Sequence, residues 1–308
     1  MSKKVLVATF KPFNKTAVDN ISKICQEAGY ELVLLESYTD PKALIEAAAD
    51  VDALIVRSDE VTPEVFGAAK NLKIVVRAGA GYDNVNLQAA TDHGVVVMNT
   101  PGQNANAVAE LVFGLMLNLA RRQYTGKSGT ELKGKKMGLQ AYGNVGRAVY
   151  QIAKGFGMEV YAYDPFIPKE SIEADGVHAV DSVETLYETC DYISLHLPKV
   201  KETIGSVNYG LMSKMKKGAA VINTARQEVV DEPSLLKMFA EREDFLYAAD
   251  VAPKNKDEIT EKYGTRSFFT AKKMGAQTAE ANINAGIAAI KQIINFFEKG
   301  DNTFQVNK

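Results

Sequence analysis

The sequence holds few of the residues that build disulfide and metal sites. It has two cysteines, three histidines and no tryptophan among its 308 residues. Cys25 and Cys190 lie far apart and share no motif, so we expect free thiols, with neither a disulfide framework nor a zinc site. The histidines have no ligand partners at useful spacing, and we therefore predict that the protein holds no metal.

The sequence also lacks a basic surplus and long apolar runs. The formal net charge is −2 and the sequence pI is about 6.0, which makes nucleic acid an unexpected partner. No apolar run is long enough to span a bilayer, and the first ten residues show no signal-type apolar region. These absences predict a cytoplasmic protein that binds neither nucleic acid nor membrane.

What the sequence does contain is a regular alternation of short apolar runs with helical stretches. Strands whose residues are apolar at consecutive positions are typical of parallel sheets that are covered on both faces. Such an alternation predicts an α/β fold with two doubly wound, parallel-sheet (Rossmann-like) domains and a cleft between them. The runs begin at positions 5, 32, 54, 74 and 95 in a first series, and at 136, 160, 192, 219 and 246 in a second.

Two further helices carry distinct patterns. Residues 104–121 are apolar nearly all round, which predicts a helix buried between the domains or in a subunit interface. Residues 279–297 place Ile283, Ile290 and Phe297 on one stripe, so this helix needs a surface to cover. We expect the tail after Gly300 to be a short surface segment.

The second series opens with a pattern that is typical of dinucleotide binding. Residues 139–147 read Leu-Gln-Ala-Tyr-Gly-Asn-Val-Gly-Arg, directly after a predicted strand and before a predicted helix. Gly143 would let the backbone approach a pyrophosphate, and Gly146 would let helix and strand pack closely. The amides of Asn144 and Val145, at the helix N-terminus, would hold the pyrophosphate. A helix-start turn with no ligand is the alternative.

Two neighbouring positions qualify this motif. Ala141 stands where glycine normally makes the tight turn, so we expect its φ to stay negative. Asp164 ends the next predicted strand, where an acid would hydrogen-bond the ribose hydroxyls of the cofactor. Its carboxylate would repel a 2′-phosphate, which favours NAD over NADP.

Several segments together resemble the D-2-hydroxyacid dehydrogenases, and within that family the short phosphoglycerate dehydrogenases. The resemblance runs from about position 5 to position 285, and its motifs are highly specific when taken together. They are Arg77-Ala-Gly-Ala-Gly-Tyr-Asp-Asn-Val85, Val97-Met-Asn-Thr-Pro-Gly102, Ser194-Leu-His-Leu-Pro198, Ile222-Asn-Thr-Ala-Arg226 and Val229-Val-Asp-Glu232.

The resemblance implies a domain organisation and a reaction. Residues 1–98 and 280–308 would form a discontinuous substrate-binding domain, and residues 99–279 an NAD-binding domain. The implied activity is the NAD-dependent interconversion of 3-phosphoglycerate and 3-phosphohydroxypyruvate in serine biosynthesis, by a homodimer built on the 104–121 helix. The alternatives are a glyoxylate or hydroxypyruvate reductase and a catalytically inactive NAD(H)-binding protein.

The resemblance also implies the catalytic residues. Arg226 matches the family's arginine, whose guanidinium would hold the substrate carboxylate and polarise the keto oxygen. The family's histidine is replaced by Lys273, and its bracing glutamate falls near Asn255. A lysine is already cationic and needs no such brace, so we interpret Lys273 as the general acid and base. Lys272 is the alternative if the register slips by one, and a solvated loop lysine in a degenerate site is the other.

The remaining site residues come from the same resemblance. The backbone of Gly79 and Ala80 would bind the substrate carboxylate. Arg57 and Ser58 would hold a distal phosphate, or Arg57 is a strand-end surface charge, and Arg77 is a second candidate. The residues expected along the cofactor are Ala80, Leu197, Pro198, Thr203, Thr224, Ala225, Asp250 and Gly275.

Overall fold

The computed structural model describes residues 2–308, which form two units. One unit contains the chain up to Asn104 together with Thr278–Lys308, and the other is Ala105–Gln277. Each unit is an α/β layer structure around its own sheet, and the predicted fold class of two parallel, Rossmann-like sheets is confirmed.

The first unit is built on a five-stranded parallel sheet with strand order β2-β1-β3-β4-β5. Its helices cover both faces: α1 and the last helix lie on one face, and α2–α4 lie on the other. In chain order the elements are β1 (Lys4–Thr9), α1 (Lys15–Glu27), β2 (Glu31–Glu36), α2 (Pro41–Ala48), β3 (Ala53–Val56), α3 (Pro63–Ala68), β4 (Ile74–Arg77), α4 (Leu87–Asp92), β5 (Val96–Asn99) and, after the second unit, α12 (Ala279–Lys299).

Apolar stripes hold the two helices of one face together. The stripe predicted for the last helix is present, and Ile290 is fully buried against the sheet and α1. Gly286 permits a close approach, because a Cβ there would lie 2.9 Å from Cδ1 of Ile21 in α1. The stripe therefore joins the end of the chain to its beginning within one core.

The tail after Gly300 is a surface segment only in part: residues 302–304 are exposed, as expected, but the residues that follow pack against β5. Val306 N–H donates to the carbonyl of Val97, and the Asn307 side chain accepts from Val97 N–H and donates to the carbonyl of Val95. Asn307 is buried. The tail covers backbone groups of the edge strand β5 that would otherwise be open to another chain.

The second unit is built on a seven-stranded parallel sheet with strand order β12-β11-β10-β9-β6-β7-β8. The strands β8 and β12 were not predicted, because runs of two and three residues carry almost no periodic signal. Its elements are α5 (Ala105–Ala120), β6 (Lys136–Gln140), α6 (Asn144–Gly155), β7 (Glu159–Tyr163), α7 (Lys169–Ala174), β8 (His178–Ala179), α8 (Val183–Thr189), β9 (Tyr192–Leu195), α9 (Tyr209–Met212), β10 (Ala220–Asn223), α10 (Glu232–Glu241), β11 (Leu246–Ala249), α11 (Lys256–Tyr263) and β12 (Ser267–Phe269).

Helix α5 is apolar because it lies in the core of the second unit. Val112, Met116 and five other residues of the helix belong to that core, and the helix packs on α6 and on strands β10–β12. The placement expected from the sequence, between domains or in a subunit interface, is therefore not needed to explain its composition. Among residues 2–308, no helix combines the length and apolar character needed to cross a membrane.

The tight packing of the second unit gives a test at Gly138 in β6. A Cβ there would lie 2.7 Å from Cδ1 of Ile193 and 2.9 Å from Cγ of Leu186. We expect Gly138→Ala to lower the free energy of unfolding by about 1–3 kcal/mol through overpacking, measured by urea denaturation. Gly67→Ala is the control, since a Cβ there would meet nothing within 4 Å. Equal effects of the two substitutions would contradict this account.

Candidate active site

The carboxyl ends of the parallel strands lie along one edge of each sheet, where α/β folds bind their ligands. In the second unit this edge collects the loops after β6, β7, β9, β10, β11 and β12. It brings together most of the predicted site residues: Gly143, Asn144, Val145, Gly146, Asp164, Leu197, Pro198, Thr203, Thr224, Ala225, Arg226, Asp250, Lys273 and Gly275.

The turn after β6 has the form of an anion-binding helix start. Gly143 is the N-cap of α6, and no side chain caps the helix there. A Cβ on Gly143 would meet nothing within 4 Å, so the space above the turn is open. A Cβ on Gly146 would lie 2.7 Å from the carbonyl oxygen of Ala141, so the close approach of helix and strand requires glycine. An uncapped helix N-terminus facing open space fits a pyrophosphate.

The expectation of a negative φ at Ala141 is wrong, since its φ is +79°. The residue is held from both sides. Its own N–H donates to the carbonyl of Tyr163 at 2.9 Å, and the next N–H, of Tyr142, donates to Asp164 at 2.8 Å. These bonds over-determine a backbone conformation that costs an L-residue about 1–2 kcal/mol. Alanine therefore makes the same turn that glycine would make without strain.

Asp164, which is predicted to bind the ribose of the cofactor, also stabilises the turn after β6. Its Oδ2 accepts from Tyr142 N–H, and its Oδ1 accepts from Phe166 N–H at 2.9 Å. The carboxylate thus links the ends of β6 and β7. The polar Gln140 at the end of β6 is also accounted for, because its Oε1 accepts from the buried Tyr187 hydroxyl at 2.8 Å.

The loop after β9 is fixed by hydrogen bonds of its own. Thr203 Oγ1 donates to the carbonyl of Pro198 and accepts from Val200 N–H at 3.0 Å. His196 N–H donates to the carbonyl of Gln140 at 3.0 Å. Its ring Nε2 is shielded from solvent and has no hydrogen-bond partner among the described residues. Burial lowers the pKa of His196 to about 3, so the ring is neutral at ordinary pH.

Arg226 follows β10 in a backbone held by an asparagine that the sequence analysis did not single out. Asn223 Oδ1 accepts from Ala225 N–H, and Asn223 Nδ2 donates to the carbonyl of Arg226, both at 3.0 Å. The Arg226 guanidinium, half-buried, donates through Nη1 to the carbonyl of Ala225. Thr224 is buried beside it. The fully buried Asn223 thus shapes the turn that presents the arginine.

Asp250 follows β11 and holds the segment that contains Lys273. Its Oδ1 accepts from Met274 N–H at 2.6 Å, and its Oδ2 accepts from Gly275 N–H at 2.8 Å. Thr270 Oγ1, directly after β12, donates to the same Oδ1 at 2.9 Å. Thr270 was missed because the strand before it was not predicted.

The two lysines of that segment, Lys272 and Lys273, are both exposed. Asn255 is the N-cap of α11, and its side chain makes no capping bond there. Among the described residues, no group of three or more His, Cys, Asp or Glu side chains is arranged to hold a metal ion.

In the first unit, the loop after β4 turns two amides in one direction. The carbonyl of Gly79 accepts from Thr100 N–H at 3.0 Å, and the carbonyl of Ala80 accepts from Asn99 Nδ2 at 2.6 Å. In a trans peptide the N–H points opposite to the C=O. The amides of Ala80 and Gly81 therefore point away from the segment that holds the carbonyls.

Arg77 lies over this loop. A Cβ on Gly79 would fall 1.5 Å from Nη1 of Arg77, so the guanidinium occupies the space that a side chain at position 79 would need. The φ of Gly79 is +150°, which also favours glycine. Glycine at this position is thus a condition for the placement of the arginine.

Arg57 and Ser58 follow β3 at the same edge of the first sheet. Arg57 Nη1 donates to the carbonyls of Lys11 and Pro12, and the guanidinium lies over the ring of Phe13 at 5.0 Å from its centroid. Burial lowers the pKa of Arg57, while Asp59 opposes that shift. Ser58 is exposed. Arg57 is thus a half-buried cation at the end of β3 with partners of its own.

The chain is similar to known proteins over most of its length. Residues 112–270 match the family described as "D-isomer specific 2-hydroxyacid dehydrogenase, NAD binding domain". The chain is 38% identical to a D-3-phosphoglycerate dehydrogenase of Archaeoglobus fulgidus over 95% of this chain and 57% of that protein. It is 36% identical to a hydroxypyruvate reductase of Thermotoga maritima over 85% of this chain and 90% of that one.

A solved structure gives the same result. The NAD+-bound 3-phosphoglycerate dehydrogenase of Entamoeba histolytica superposes with a TM-score of 0.91 at 45% identity, and the match covers 100% of this chain and 99% of that one. The chain belongs to the D-isomer specific 2-hydroxyacid dehydrogenases, and its residues 112–270 are the NAD-binding domain of that family. It spans 57% of the length of the Archaeoglobus relative.

The positive φ of Ala141 gives a stability test. Ala141→Gly should raise the free energy of unfolding by about 0.5–1 kcal/mol, because the steric cost of the turn exceeds the backbone entropy that glycine loses on folding. Thermal or urea unfolding of the ligand-free protein measures it. Ala148→Gly, within α6, is the control and should lower stability by up to about 1 kcal/mol. A loss of stability in Ala141→Gly would contradict the strained turn.

The shielded ring nitrogen of His196 gives a pH test. Its folded pKa of about 3 lies below the unfolded value of about 6.5. The unfolded chain therefore binds a proton before the folded chain does, and the free energy of unfolding decreases as the pH is lowered. Between pH 7 and pH 5 this residue should cost about 2 kcal/mol. His196→Gln should reduce the loss by that amount, and the exposed His178, changed to Gln, should not. Equal pH profiles for both variants would show that His196 titrates normally in the fold.

Proposed function

We propose that the chain is an NAD-dependent oxidoreductase that interconverts 3-phosphoglycerate and 3-phosphohydroxypyruvate, with Arg226 polarising the substrate and Lys273 as general acid and base. The observation that carries the proposal is the shared edge of the second sheet, where adjacent strands present the Arg226 turn, Asp250 and the Lys273 segment. The similarity to 3-phosphoglycerate dehydrogenases over 95–100% of this chain supports the choice of substrate.

In the second unit, the N-terminus of α6 and the end of β7 would hold NAD. The uncapped start of α6 at Gly143 would hold the pyrophosphate through the amides of Asn144 and Val145, and Asp164 would accept from the ribose hydroxyls. When bound, NAD(H) supplies the hydride acceptor or donor. The loop that Thr203 closes, with Leu197 and Pro198, would border the cofactor, as would Thr224, Ala225 and Gly275.

The chemistry of the substrate requires a fixed cation and a proton carrier. Arg226 follows β10 and Lys273 follows β12, and the two strands are separated only by β11. Two strand spacings amount to about 10 Å, which the side chains of arginine and lysine can span. The Arg226 guanidinium would hold the carboxylate and the keto oxygen, and the Lys273 ammonium would donate the proton to the developing alkoxide.

The first unit offers donors for the two ends of a phosphorylated 2-keto acid. The amides beyond Gly79 and Ala80, which point in one direction, suit the carboxylate. Arg57, held by two carbonyls and a ring, suits the distal phosphate, with Ser58 and Arg77 as additional donors. On this proposal, residues 1–98 and 280–308 would be the substrate-binding domain and residues 99–279 the NAD-binding domain. The homodimer stays a prediction from the family resemblance, and the cytoplasmic location stays a prediction from the composition.

A hydroxypyruvate reductase is the second candidate. The relative from Thermotoga maritima with that name is matched over 90% of its length, whereas the Archaeoglobus relative is matched over 57%. The absent histidine and glutamate favour the third candidate, an inactive NAD(H)-binding protein. The anchored Lys273 segment argues against it, because a degenerate site has no need of a placed lysine.

The first experiment compares NADH oxidation with 3-phosphohydroxypyruvate, hydroxypyruvate, glyoxylate and pyruvate at equal concentrations. We expect strong preference for the phosphorylated acid, and a loss of that preference in Arg57→Ala, because the guanidinium would hold the phosphate. Preference for an unphosphorylated acid would assign the protein to the reductases. NADH binding without turnover of any of the four acids would support the inactive protein.

The role of Lys273 is tested through its proton. Lys273→Ala should lower the rate of single-turnover hydride transfer by about 100-fold or more and leave the Kd for NADH within a few-fold. Lys272→Ala, next in the chain, is the matched control and should keep the rate. Oxidation of 3-phosphoglycerate should become faster between pH 7 and pH 10, since the base form of a lysine increases over that range. A flat profile would exclude Lys273 as the base.

A further inference from the structure

Asp59 is a buried carboxylate at the edge of the first sheet where the strands end, and 3% of the residue is exposed. Its Oδ1 accepts from Phe10 N–H, directly after β1, at 2.7 Å and from the Tyr38 hydroxyl, after β2, at 2.6 Å. Its Oδ2 accepts from Arg57 N–H, directly after β3, at 3.4 Å. The three strands are neighbours in the sheet, so one side chain joins the loops that follow them.

The loop after β4 holds the same turn through its backbone. Asn84 Nδ2 donates to the carbonyl of Asp59 at 2.7 Å and to the carbonyl of Arg57 at 3.4 Å. The N–H of Val61 donates to the carbonyl of Asn84 at 2.9 Å. The turn from Arg57 to Val61 is therefore held by the Asp59 carboxylate on one side and by the loop after β4 on the other.

Asp59 acts on Arg57 at both ends of that residue. Its Oδ2 holds the backbone N–H of Arg57, and its Oδ1 holds the N–H of Phe10. The next two residues, Lys11 and Pro12, supply the carbonyls that accept from Arg57 Nη1, each at 3.3 Å. The carboxylate thus fixes both the backbone of the arginine and the loop that receives its guanidinium. Its negative charge also opposes the lowering of the Arg57 pKa by burial.

Such fixation matters because Arg57 lies outside any helix or strand. A long side chain loses rotamer freedom when it binds a ligand, so a guanidinium that is placed in advance binds an anion more tightly. Nη1 carries two of the five N–H donors of the group, and Nε and Nη2 carry the other three. A pair of donors on Nε and Nη2 is suited to the bidentate contact that arginine makes with phosphate.

We propose that Asp59 is a positioning residue that acts through Arg57 and thereby sets the preference for a phosphorylated acid. This inference rests on the role of Arg57 as the holder of the distal phosphate in the proposed function. A carboxylate would repel a phosphate at contact distance, so the effect of Asp59 on that group is indirect. It assigns a specificity role to a buried acid that belongs to none of the predicted site residues.

The experiment measures substrate preference in Asp59→Asn. The asparagine keeps one acceptor oxygen for Phe10 and Tyr38 but turns an NH₂ group toward Arg57 N–H, and it removes the charge. The ratio of kcat/KM for 3-phosphohydroxypyruvate to that for hydroxypyruvate should fall by about tenfold or more. The fall should come from the KM of the phosphorylated acid, with its kcat within threefold. General damage to the fold would lower both acids alike and leave the ratio unchanged.

Amide exchange gives a second readout that needs no turnover. In the ligand-free protein we expect faster hydrogen–deuterium exchange in a peptide covering residues 57–62 of Asp59→Asn. Tyr38→Phe removes one donor and keeps the ring, and it should produce the same changes in ratio and exchange to a smaller extent. This milder variant keeps the test decisive if Asp59→Asn fails to fold.

Asp52→Asn is the matched control. Asp52 Oδ2 accepts from the backbone N–H of Lys4 at 2.9 Å, and its Oδ1 accepts from Lys3 Nζ at 2.9 Å. It therefore also joins β1 and β3, but at their amino ends. This variant should lose stability without a change in the preference ratio.

A double variant tests whether the effect passes through the arginine. In an Arg57→Ala background, Asp59→Asn should change the preference ratio by less than twofold, because the group that it positions is already absent. A full tenfold effect in that background would show that Asp59 acts on the substrate by another route. An unchanged ratio in Asp59→Asn alone would overturn the inference even if exchange became faster.

Failure of the proposed function is a separate result. It would appear as an unmodified protein that turns over neither acid, or as an unchanged preference in Arg57→Ala. In the first case the Kd for 3-phosphoglycerate, measured by calorimetry, replaces the ratio, and an equal Kd in the unmodified protein and in Asp59→Asn would overturn the inference. In the second case the inference falls with the phosphate role of Arg57, while faster exchange in Asp59→Asn would still report the anchored turn.

Discussion

All neighbouring strands of the two sheets run parallel, and the rest of the structure follows from this. Parallel strands need helices to return the chain, and the helices cover both faces with apolar side chains. The polar residues of a binding site therefore cannot lie on the faces of the sheet, and they lie instead in the loops at the carboxyl ends of the strands. The site of the second unit is a row of short loops at that edge, and its residues are close in space although they are far apart in sequence.

Those loops have one feature in common: a short polar side chain at or after the end of a strand forms hydrogen bonds with backbone groups of a nearby loop. Asp164 after β7 holds Tyr142, Asn223 within the end of β10 holds the Arg226 turn, and Asp250 after β11 holds the Lys273 segment. Asp and Asn have side chains that reach the backbone of adjacent loops without extending beyond it. Rigid loops at a binding edge reduce the entropy that a ligand must overcome when it binds.

The sequence predicted the parts of this structure that depend on long apolar patterns. The fold class, the longer strands and the helix stripe ending at Phe297 follow from periodicity, and the family followed from motifs such as the segment ending at Arg226. Periodicity does not report which backbone groups a buried side chain holds. Hence the positive φ of Ala141, the anchoring of the tail by Asn307 and the short strand before Thr270 required the structure.

The α12 helix packs against α1 and the first sheet. Because α12 is synthesised last, this packing has a consequence for the state of the first unit during translation. The strands β1–β5 leave the ribosome first, yet the part of one sheet face that α1 does not cover stays exposed until residues such as Ile290 have been made. The second unit is complete before that. While more than half of the chain is being synthesised, the nascent first unit therefore exposes the apolar part of this sheet face that α12 later covers.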